Sequence, residues 1–158
     1  MIGVNNFKED GLYSDASKWT TNKFEGRSNE IAKFNAEKIC WNEVLGFKSD
    51  SPTQMDSILP YFIIGPPLYK ESFNSSCGAI SSILNSTQYG FPEIHLPIID
   101  VRDLAHMHIM MIMHKQFSKH GRYLVGTESL WFSEIIKFLK ENRVEIGVNK
   151  RIKTRVLG

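Results

Sequence analysis

The stretch from residue 28 to residue 45 constrains the fold most, because it has the length and spacing of an amphipathic helix. Up to Trp41 it reads SNEIAKFNAEKICW. Apolar or small residues recur there at three- and four-residue intervals, and charged residues take other positions. The apolar set is Ala32, Ala36, Ile39 and Cys40. We predict a helix over Asn29–Leu45 that packs on this face, with Ser28 as N-cap and Gly46 as C-cap.

The composition is that of a globular domain with a core of its own. Of the 158 residues, 42% are hydrophobic and 23% are charged. A net charge of +2 does not point to nucleic acid, to a membrane surface or to an acidic substrate. There is no apolar run long enough for a membrane span and no secretory signal, so we predict a cytoplasmic protein. Cys40 and Cys77 are far apart, and we interpret both as reduced structural thiols.

The next strong segment is a compact apolar run over Met55–Ile64, which ends at Gly65-Pro66-Pro67. Such a run predicts a buried strand followed by a turn. Pro60 lies inside the run, and a proline within a strand favours an edge position or a bulge.

Weaker patterns place the remaining elements. We expect irregular structure over residues 1–27, where Asn, Asp, Gly and Ser recur, and a loop at Tyr89–Pro92. The regular elements are helix Ser75–Leu84, a strand and helix over Ile98–His108, strand Arg122–Val125 and helix Trp131–Asn142. The last helix has Phe132, Ile135, Ile136 and Leu139 on one face and Ser129 or Ser133 as its cap. The basic tail, Arg143–Gly158, is predicted to be solvated.

Three histidines lie close together in the sequence without the spacing of a metal site. His106 and His108 point about 200° apart on a helix, and His114 diverges from His108 as well. We therefore predict no metal site. The neighbouring methionines are interpreted as flexible core filler, and they are Met107, Met110, Met111 and Met113.

The predicted helix also matches a family motif. Its residues Lys33, Ala36, Glu37, Lys38 and Trp41 fit the pattern S-K-x-x-A-E-K-x-x-W. This pattern resembles the active-site helix of the extended short-chain dehydrogenase/reductase superfamily, which is also described as the NAD-dependent epimerase/dehydratase family. The similarity is to its dihydroflavonol-reductase-like and 3β-hydroxysteroid-dehydrogenase-like branches. In that family a Tyr precedes the Lys by four residues, and Asn29 occupies that place here.

Two further segments carry the same resemblance. Leu59–Pro66 is similar to the strand after the Tyr helix, in which residues following a Pro meet the nicotinamide through their backbone. This implies cofactor binding by Pro60, Tyr61, Phe62 and Ile63, although Leu59 replaces the family's usual Asn. Ile98–His108 resembles V-D-V-R-D-V-A-x-A-H, and there Asp100 or Asp103 can cap the helix while Arg102 pairs locally.

The resemblance implies an α/β fold, the C-terminal part of a Rossmann-type extended short-chain dehydrogenase/reductase lacking the N-terminal dinucleotide-binding half. It covers roughly residues 12–157, and the chain contains no G-x-x-G-x-x-G loop and no catalytic Ser. We expect one partial domain over residues 1–158. Residues 28–67 would hold the active-site helix and nicotinamide-side strand, and residues 68–158 the substrate-binding part. Such a part exposes apolar faces and unpaired strand edges, so we expect marginal stability.

The implied function is that of an NAD(P)-dependent oxidoreductase acting on a CH–OH or carbonyl group of a small molecule, with NADP preferred to NAD. The family's Tyr exchanges the proton, and Lys33 would lower its pKa and bind the cofactor ribose. An Asn amide at residue 29 cannot exchange a proton at ordinary pH. We therefore expect the isolated chain to be inactive, a pseudoenzyme. Alternatives are a non-catalytic remnant that associates with an intact relative, or a truncated gene product.

Overall fold

A computed structural model describes residues 28–46, 55–69, 76–114, 121–148 and 150–157. The predicted irregular segment 1–27 lies outside these residues. In chain order the elements are α1 (Ser28–Gly46), β1 (Ser57–Pro60), β2 (Phe62–Ile64), α2 (Ser76–Asn85), β3 (Gly90–Pro92), β4 (His95–Asp100), α3 (Val101–Met113), β5 (Arg122–Val125), β6 (Glu128–Trp131), α4 (Phe132–Glu141) and β7 (Arg155–Leu157). Mixed helices and strands with parallel pairing confirm the α/β class.

The chain divides into two compact units. The first comprises Met1–Leu59 and His106–Val125, and the second comprises Pro60–Ala105 and Gly126–Gly158. Helix α1, strand β5 and most of β1 belong to the first unit, and two of the three boundaries fall inside β1 and α3.

In the first unit, β1 pairs with β5 in a two-stranded sheet. The start of this pairing is fixed by two hydrogen bonds. The backbone N–H of Ser57 donates to the Gly121 carbonyl at 2.9 Å, and the Gly121 N–H donates to Asp56 Oδ1 at 2.7 Å. Asp56 thereby satisfies a backbone donor just before β5 begins.

Helix α1 confirms the predicted element and is one residue longer at each end, but the predicted packing face is wrong. Ala32, Ala36, Ile39 and Cys40 are exposed. The buried and half-buried stripe is Phe34, Glu37, Trp41 and Val44, at intervals of three and four residues. All but Ile39 of the side chains on the predicted face are small and would bury little apolar area, whereas the Trp41 indole buries far more. The larger side chain therefore decides which face turns inward.

The second unit contains a three-stranded sheet in the order β2-β4-β6. Strands β2 and β4 are parallel with Phe62 opposite Ile98, and β4 and β6 are antiparallel with His95 opposite Trp131. The core beneath it consists of Ile83, Phe91, Leu96, Phe132, Ile136 and Ile152. The Phe91 and Phe132 rings stack with centroids 4.8 Å apart. The predicted apolar face of α4 is confirmed, since Ile135 and Leu139 also pack on this core.

The predictions for Tyr89–Pro92 and for the tail were wrong. Gly90–Pro92 is strand β3, which pairs in parallel with β7 of the tail, so that Phe91 lies opposite Val156. Ile152 and Thr154 are buried, and the Thr154 hydroxyl donates to the Gln88 carbonyl at 3.1 Å. The basic side chains of residues 150, 151, 153 and 155 are exposed, as expected, but the apolar residues between them dock the segment.

The predicted strand Met55–Ile64 is divided at Tyr61 into β1 and β2, which belong to different sheets. Pro60 lacks a backbone donor and ends the first of them, because a proline cannot continue the pairing. The strand predicted at Arg122–Val125 is confirmed. The serine cap of α4 is wrong: Ser129 lies in β6, and the N–H of Trp131 donates instead to Glu134 Oε2 at 2.7 Å.

Gly65 ends β2 in a conformation that requires glycine. Its φ is +128°, and a Cβ there would lie 2.8 Å from Val101 Cγ1. The close approach of this turn to the first residue of α3 therefore excludes any side chain.

Several apolar side chains remain exposed in the first unit. They are Ile31 and Ile39 on α1 and Ile109, Ile112 and Met113 on α3. Exposed apolar faces were expected, whereas the assignment of Met113 to the core was wrong; Met111 is buried. Within the described ranges no helix combines the length and apolar character that a membrane crossing needs.

Candidate functional site

Asn29 and Lys33 lie in the first turns of α1. The two side chains are exposed and are separated by four residues, which places them on the same side of the helix. The exposed Lys33 ammonium can hold a hydroxyl or a phosphate, and the Asn29 amide can donate or accept a hydrogen bond. The pair can orient a ligand, but neither side chain provides the neutral-pH acid/base group that a Tyr beside a Lys would provide.

One turn further along α1, Glu37 forms a bidentate ion pair with Arg122 at the start of β5. Arg122 Nε donates to Glu37 Oε1 at 2.8 Å, and Arg122 Nη2 donates to Glu37 Oε2 at 3.1 Å. The two side chains are only 8% and 10% exposed. Burial raises the pKa of Glu37, but hydrogen bonding and positive charge, with Arg122 the largest contributor, lower it from 4.5 to about 2. Glu37 is therefore ionised at neutral pH.

Trp41, on the next turn, extends this network to β1. Its indole N–H donates to Ser57 Oγ at 3.0 Å and lies 3.4 Å from Glu37 Oε1. Helix α1 is thus joined to β5 through Glu37 and to β1 through Trp41. Glu37 and Trp41 both occupy positions of the family motif.

Residues 60–63 belong to the second unit and have different environments. Phe62 is half-buried and packs on the core against Phe132, whereas Tyr61 is exposed. The Ile63 carbonyl accepts a hydrogen bond from the Ser76 hydroxyl at the start of α2. The segment can therefore offer a cofactor its remaining backbone groups and the Tyr61 side chain.

The motif at the start of α3 has the predicted structural role. Asp100 Oδ1 accepts from the Arg102 backbone N–H at 2.8 Å, as an N-cap does, and the Arg102 guanidinium makes a salt bridge to Asp100 Oδ2 at 2.7 Å. The bond from Arg102 lowers the pKa of Asp100 to about 2. Among the described residues, no three His, Cys, Asp or Glu side chains are grouped as a metal would require.

An open groove of about 340 Å³ lies in the second unit, between α4 and β7. Its lining residues are Ser133, Ile136, Lys137, Lys140, Glu141 and Val156. None of the predicted site residues lines it.

Sequence reasoning missed Arg122 as a partner of the candidate helix. Glu37 and Arg122 are separated by 85 residues, and nothing in the local pattern joins them. The available signal was a charged residue, Glu37, three residues after Phe34 and four before Trp41, on what becomes the buried stripe. A charge at such a position calls for a buried partner.

Comparison with known proteins gives a consistent family. No protein-family model matches the chain. It is similar to the NADPH-dependent methylglyoxal reductase GRE2 of Saccharomyces cerevisiae, with 24% identity over 112 residues, which cover 68% of this chain and 32% of the relative. It is also similar to the bifunctional dihydroflavonol 4-reductase/flavanone 4-reductase of Pyrus communis, with 24% identity over 149 residues, covering 92% and 40%.

A solved structure has a similar fold. The solved structure of yeast methylglyoxal/isovaleraldehyde reductase Gre2 complexed with NADPH superposes with a TM-score of 0.69 at 19% identity, covering 90% of this chain and 48% of that one. The chain thus spans about a third to a half of the length of the relatives it matches. It is a homologue of the reductases of the extended short-chain dehydrogenase/reductase superfamily and corresponds to their C-terminal part.

Proposed function

We propose that this chain provides the nicotinamide-side and substrate-side part of an NAD(P)-dependent oxidoreductase that acts on a CH–OH or carbonyl group of a small molecule. Lys33 would hold the cofactor ribose, and the backbone of Pro60–Ile63, with the exposed Tyr61, would line the nicotinamide. Support comes from the homologous reductases, which include an NADPH-dependent one, and from the exposure of Lys33 on α1. NADP is the favoured cofactor because NADPH is the cofactor in the names of the yeast reductase and of its solved structure.

The chemistry that such a cofactor supplies is hydride transfer to or from the substrate carbon. The chain's own residues would hold and orient the reactants. The Lys33 ammonium would donate hydrogen bonds to ribose hydroxyls, and the Asn29 amide would donate one to the substrate oxygen. The Asn29 amide gives that oxygen no proton at neutral pH and Lys33 would be engaged with the ribose, so the proton would come from water.

The observation that carries this proposal is the exposed pair formed by Asn29 and Lys33 on one side of α1. The pair keeps the binding group and lacks the proton donor. Since losing a positioned acid or base typically lowers the rate by a factor of about 100 to 10,000, the chain alone should show no measurable turnover.

The test is NADPH consumption by the purified chain with small aldehydes and ketones. We expect a rate indistinguishable from that of an Asn29→Ala variant. Asn42 is also exposed on this helix, so Asn42→Ala is the matched control. Substrate-dependent turnover that Asn29→Ala abolishes and Asn42→Ala retains would show that the chain is a working enzyme, contrary to the expected inactivity of the isolated chain.

A second candidate function is that of an interaction module that binds an intact relative. The exposed apolar residues Ile109, Ile112 and Met113 on α3 favour it, because contiguous exposed apolar surface marks protein contacts. Co-purification of the chain with a full-length reductase from its source cells would support this function. Recovery of the chain alone, as a monomer, would contradict it.

A further inference from the structure

The ion pair between Glu37 and Arg122 is unusual for its burial. Two charged side chains that are 10% and 8% exposed are joined by two hydrogen bonds across 85 residues of sequence. Replacing such a pair by apolar side chains of similar size is often neutral or stabilising, because desolvation offsets most of the attraction. Its presence is thus poorly explained by stability alone.

A bidentate Arg–carboxylate pair constrains the relative orientation of the two elements that carry its side chains. The planar guanidinium holds the carboxylate in a defined orientation, so the pair constrains both the rotation of α1 about its axis and its position along β5. The Trp41 indole, hydrogen-bonded to Ser57 at 3.0 Å, adds a second fixed point on β1. These two directional contacts, on adjacent turns of α1, together set the register of the helix against β5 and β1.

The position of this anchor in the sequence connects it to the candidate site. Lys33 lies four residues before Glu37, so the two side chains are about 40° apart around the helix and one turn apart along it. Ser57 stands three residues before Pro60, on the strand that leads into the proposed nicotinamide segment. The anchor therefore joins the helix that carries Lys33 to the strand that precedes that segment.

We infer that Glu37 and Arg122 are positioning residues that hold the Lys33 ammonium in register for the cofactor ribose. This inference rests on the proposed function. It assigns to a buried ion pair the task of setting the position of the ribose-binding ammonium. A displacement of about 1 Å at such a contact can cost about a hundredfold in rate.

The test measures the contact between Lys33 and NADPH without needing turnover. The protein at its native length is labelled with acetic anhydride with and without NADPH, and mass spectrometry quantifies acetylation of each lysine. At an NADPH concentration ten times Kd, we expect Lys33 labelling to fall about tenfold. Lys38, exposed on the same helix, serves as the internal reference and should be labelled equally in both samples.

In Glu37→Gln the protection of Lys33 should fall below about twofold at matched occupancy, while NADPH binding followed by its fluorescence persists. If Glu37 had only a structural role, Glu37→Gln would not lose Lys33 protection while still binding NADPH. The matched control is Glu43→Gln, an exposed glutamate of the same helix, which should keep full protection.

A second variant decides the matter should Glu37→Gln fail to fold. Arg122→Lys keeps the charge beside Glu37 but cannot make the bidentate contact, and we expect it to protect Lys33 less than the wild type does. Equal protection in the wild type and in the folded variants would overturn the inference alone. Absence of Lys33 protection in the wild type would instead overturn the proposed function, and the inference with it.

Discussion

At the scale of single residues, Asn29 would decide the chemistry of the proposed site. Its amide neither accepts nor releases a proton near neutral pH, whereas a phenol with a pKa of ~10 beside an ammonium can be tuned toward that range. Asn in place of Tyr changes one functional group. Because position 29 is exposed on α1, the helix can accept the larger Tyr side chain.

We expect Asn29→Tyr to raise the NADPH-dependent reduction rate of the native-length protein by about a hundredfold or more, since it restores an acid/base group one turn from Lys33. Initial rates across a pH series provide the measurement. Asn29→Phe, which has the ring without the hydroxyl, is the control and should give no gain. An unchanged rate in Asn29→Tyr would place the proton source elsewhere.

Glu37 gives the chain a predictable response to acid. Its pKa is lowered from 4.5 to about 2 in the folded state, so the stability it contributes is complete above about pH 4.5 and is lost as the pH falls toward 2. In Glu37→Gln this part of the acid response should disappear. That variant should also lose about 3 kcal/mol at neutral pH, because the buried Arg122 guanidinium loses the carboxylate charge with which it forms the bidentate pair.

Urea unfolding of both proteins between pH 7 and pH 2 checks the response of Glu37. Asp100 has a similarly lowered pKa, and its side chain is 26% exposed against 10% for Glu37, so Asp100→Asn serves as the comparison for an acid effect at a less buried carboxylate. A Glu37→Gln protein with the wild-type pH dependence would contradict the assignment.

At the scale of elements, β7 shows how a short strand is held by the residues beside it. Ile152 is 3% exposed and belongs to the core that includes Phe91 and Phe132. Thr154 is fully buried, with its hydroxyl on the Gln88 carbonyl. The pairing of β7 with β3 therefore depends on core packing three residues before the strand begins.

We expect Ile152→Ala to lower the free energy of unfolding by about 2–4 kcal/mol, because it leaves a cavity in this core. Ile146→Ala, at an exposed position of the same tail, is the matched control and should change it by less than about 0.5 kcal/mol. Chemical denaturation measures both. Equal effects of the two substitutions would mean that the tail does not dock as described.

The elements also show what could be predicted from the sequence. Helix α4 and strand β5 follow from local periodicity and composition, and α1 was found with nearly its full length. Strand β3 could not be found, because three residues that read as a turn become a strand only through a partner about 65 positions away. The inward face of α1 was missed for a related reason: its Glu37 is buried by Arg122, a partner that no local pattern reveals. The candidate pair, Asn29 and Lys33, rests on a motif and awaits a direct test.

At the scale of the whole molecule, the chain combines two compact units with exposed apolar surface on α1 and α3. Ile112 is 86% exposed at the C-terminal end of α3. An apolar residue so placed contributes little to folding and is available to a partner.

We expect Ile112→Lys to leave the melting temperature within about 1–2 °C of the wild type while weakening co-purification with an intact relative at least about tenfold. Pull-down of matched amounts of the two proteins measures the difference. Lys137→Ile, a change of the opposite kind at an exposed site of α4, should leave the interaction unchanged. Undiminished recovery with Ile112→Lys would exclude this surface as the contact.

The hydrogen-bonded indole on α1 has a spectroscopic consequence. Trp41, 7% exposed, lies in the first unit, and Trp131, 45% exposed, lies in the second. In a protein whose Trp19 and Trp131 are replaced by Phe, the emission of Trp41 should shift to longer wavelength when the first unit unfolds. A companion with Trp131 alone follows the second unit. Coincident denaturation curves would show that the two units unfold cooperatively, and separated curves would show that they unfold independently.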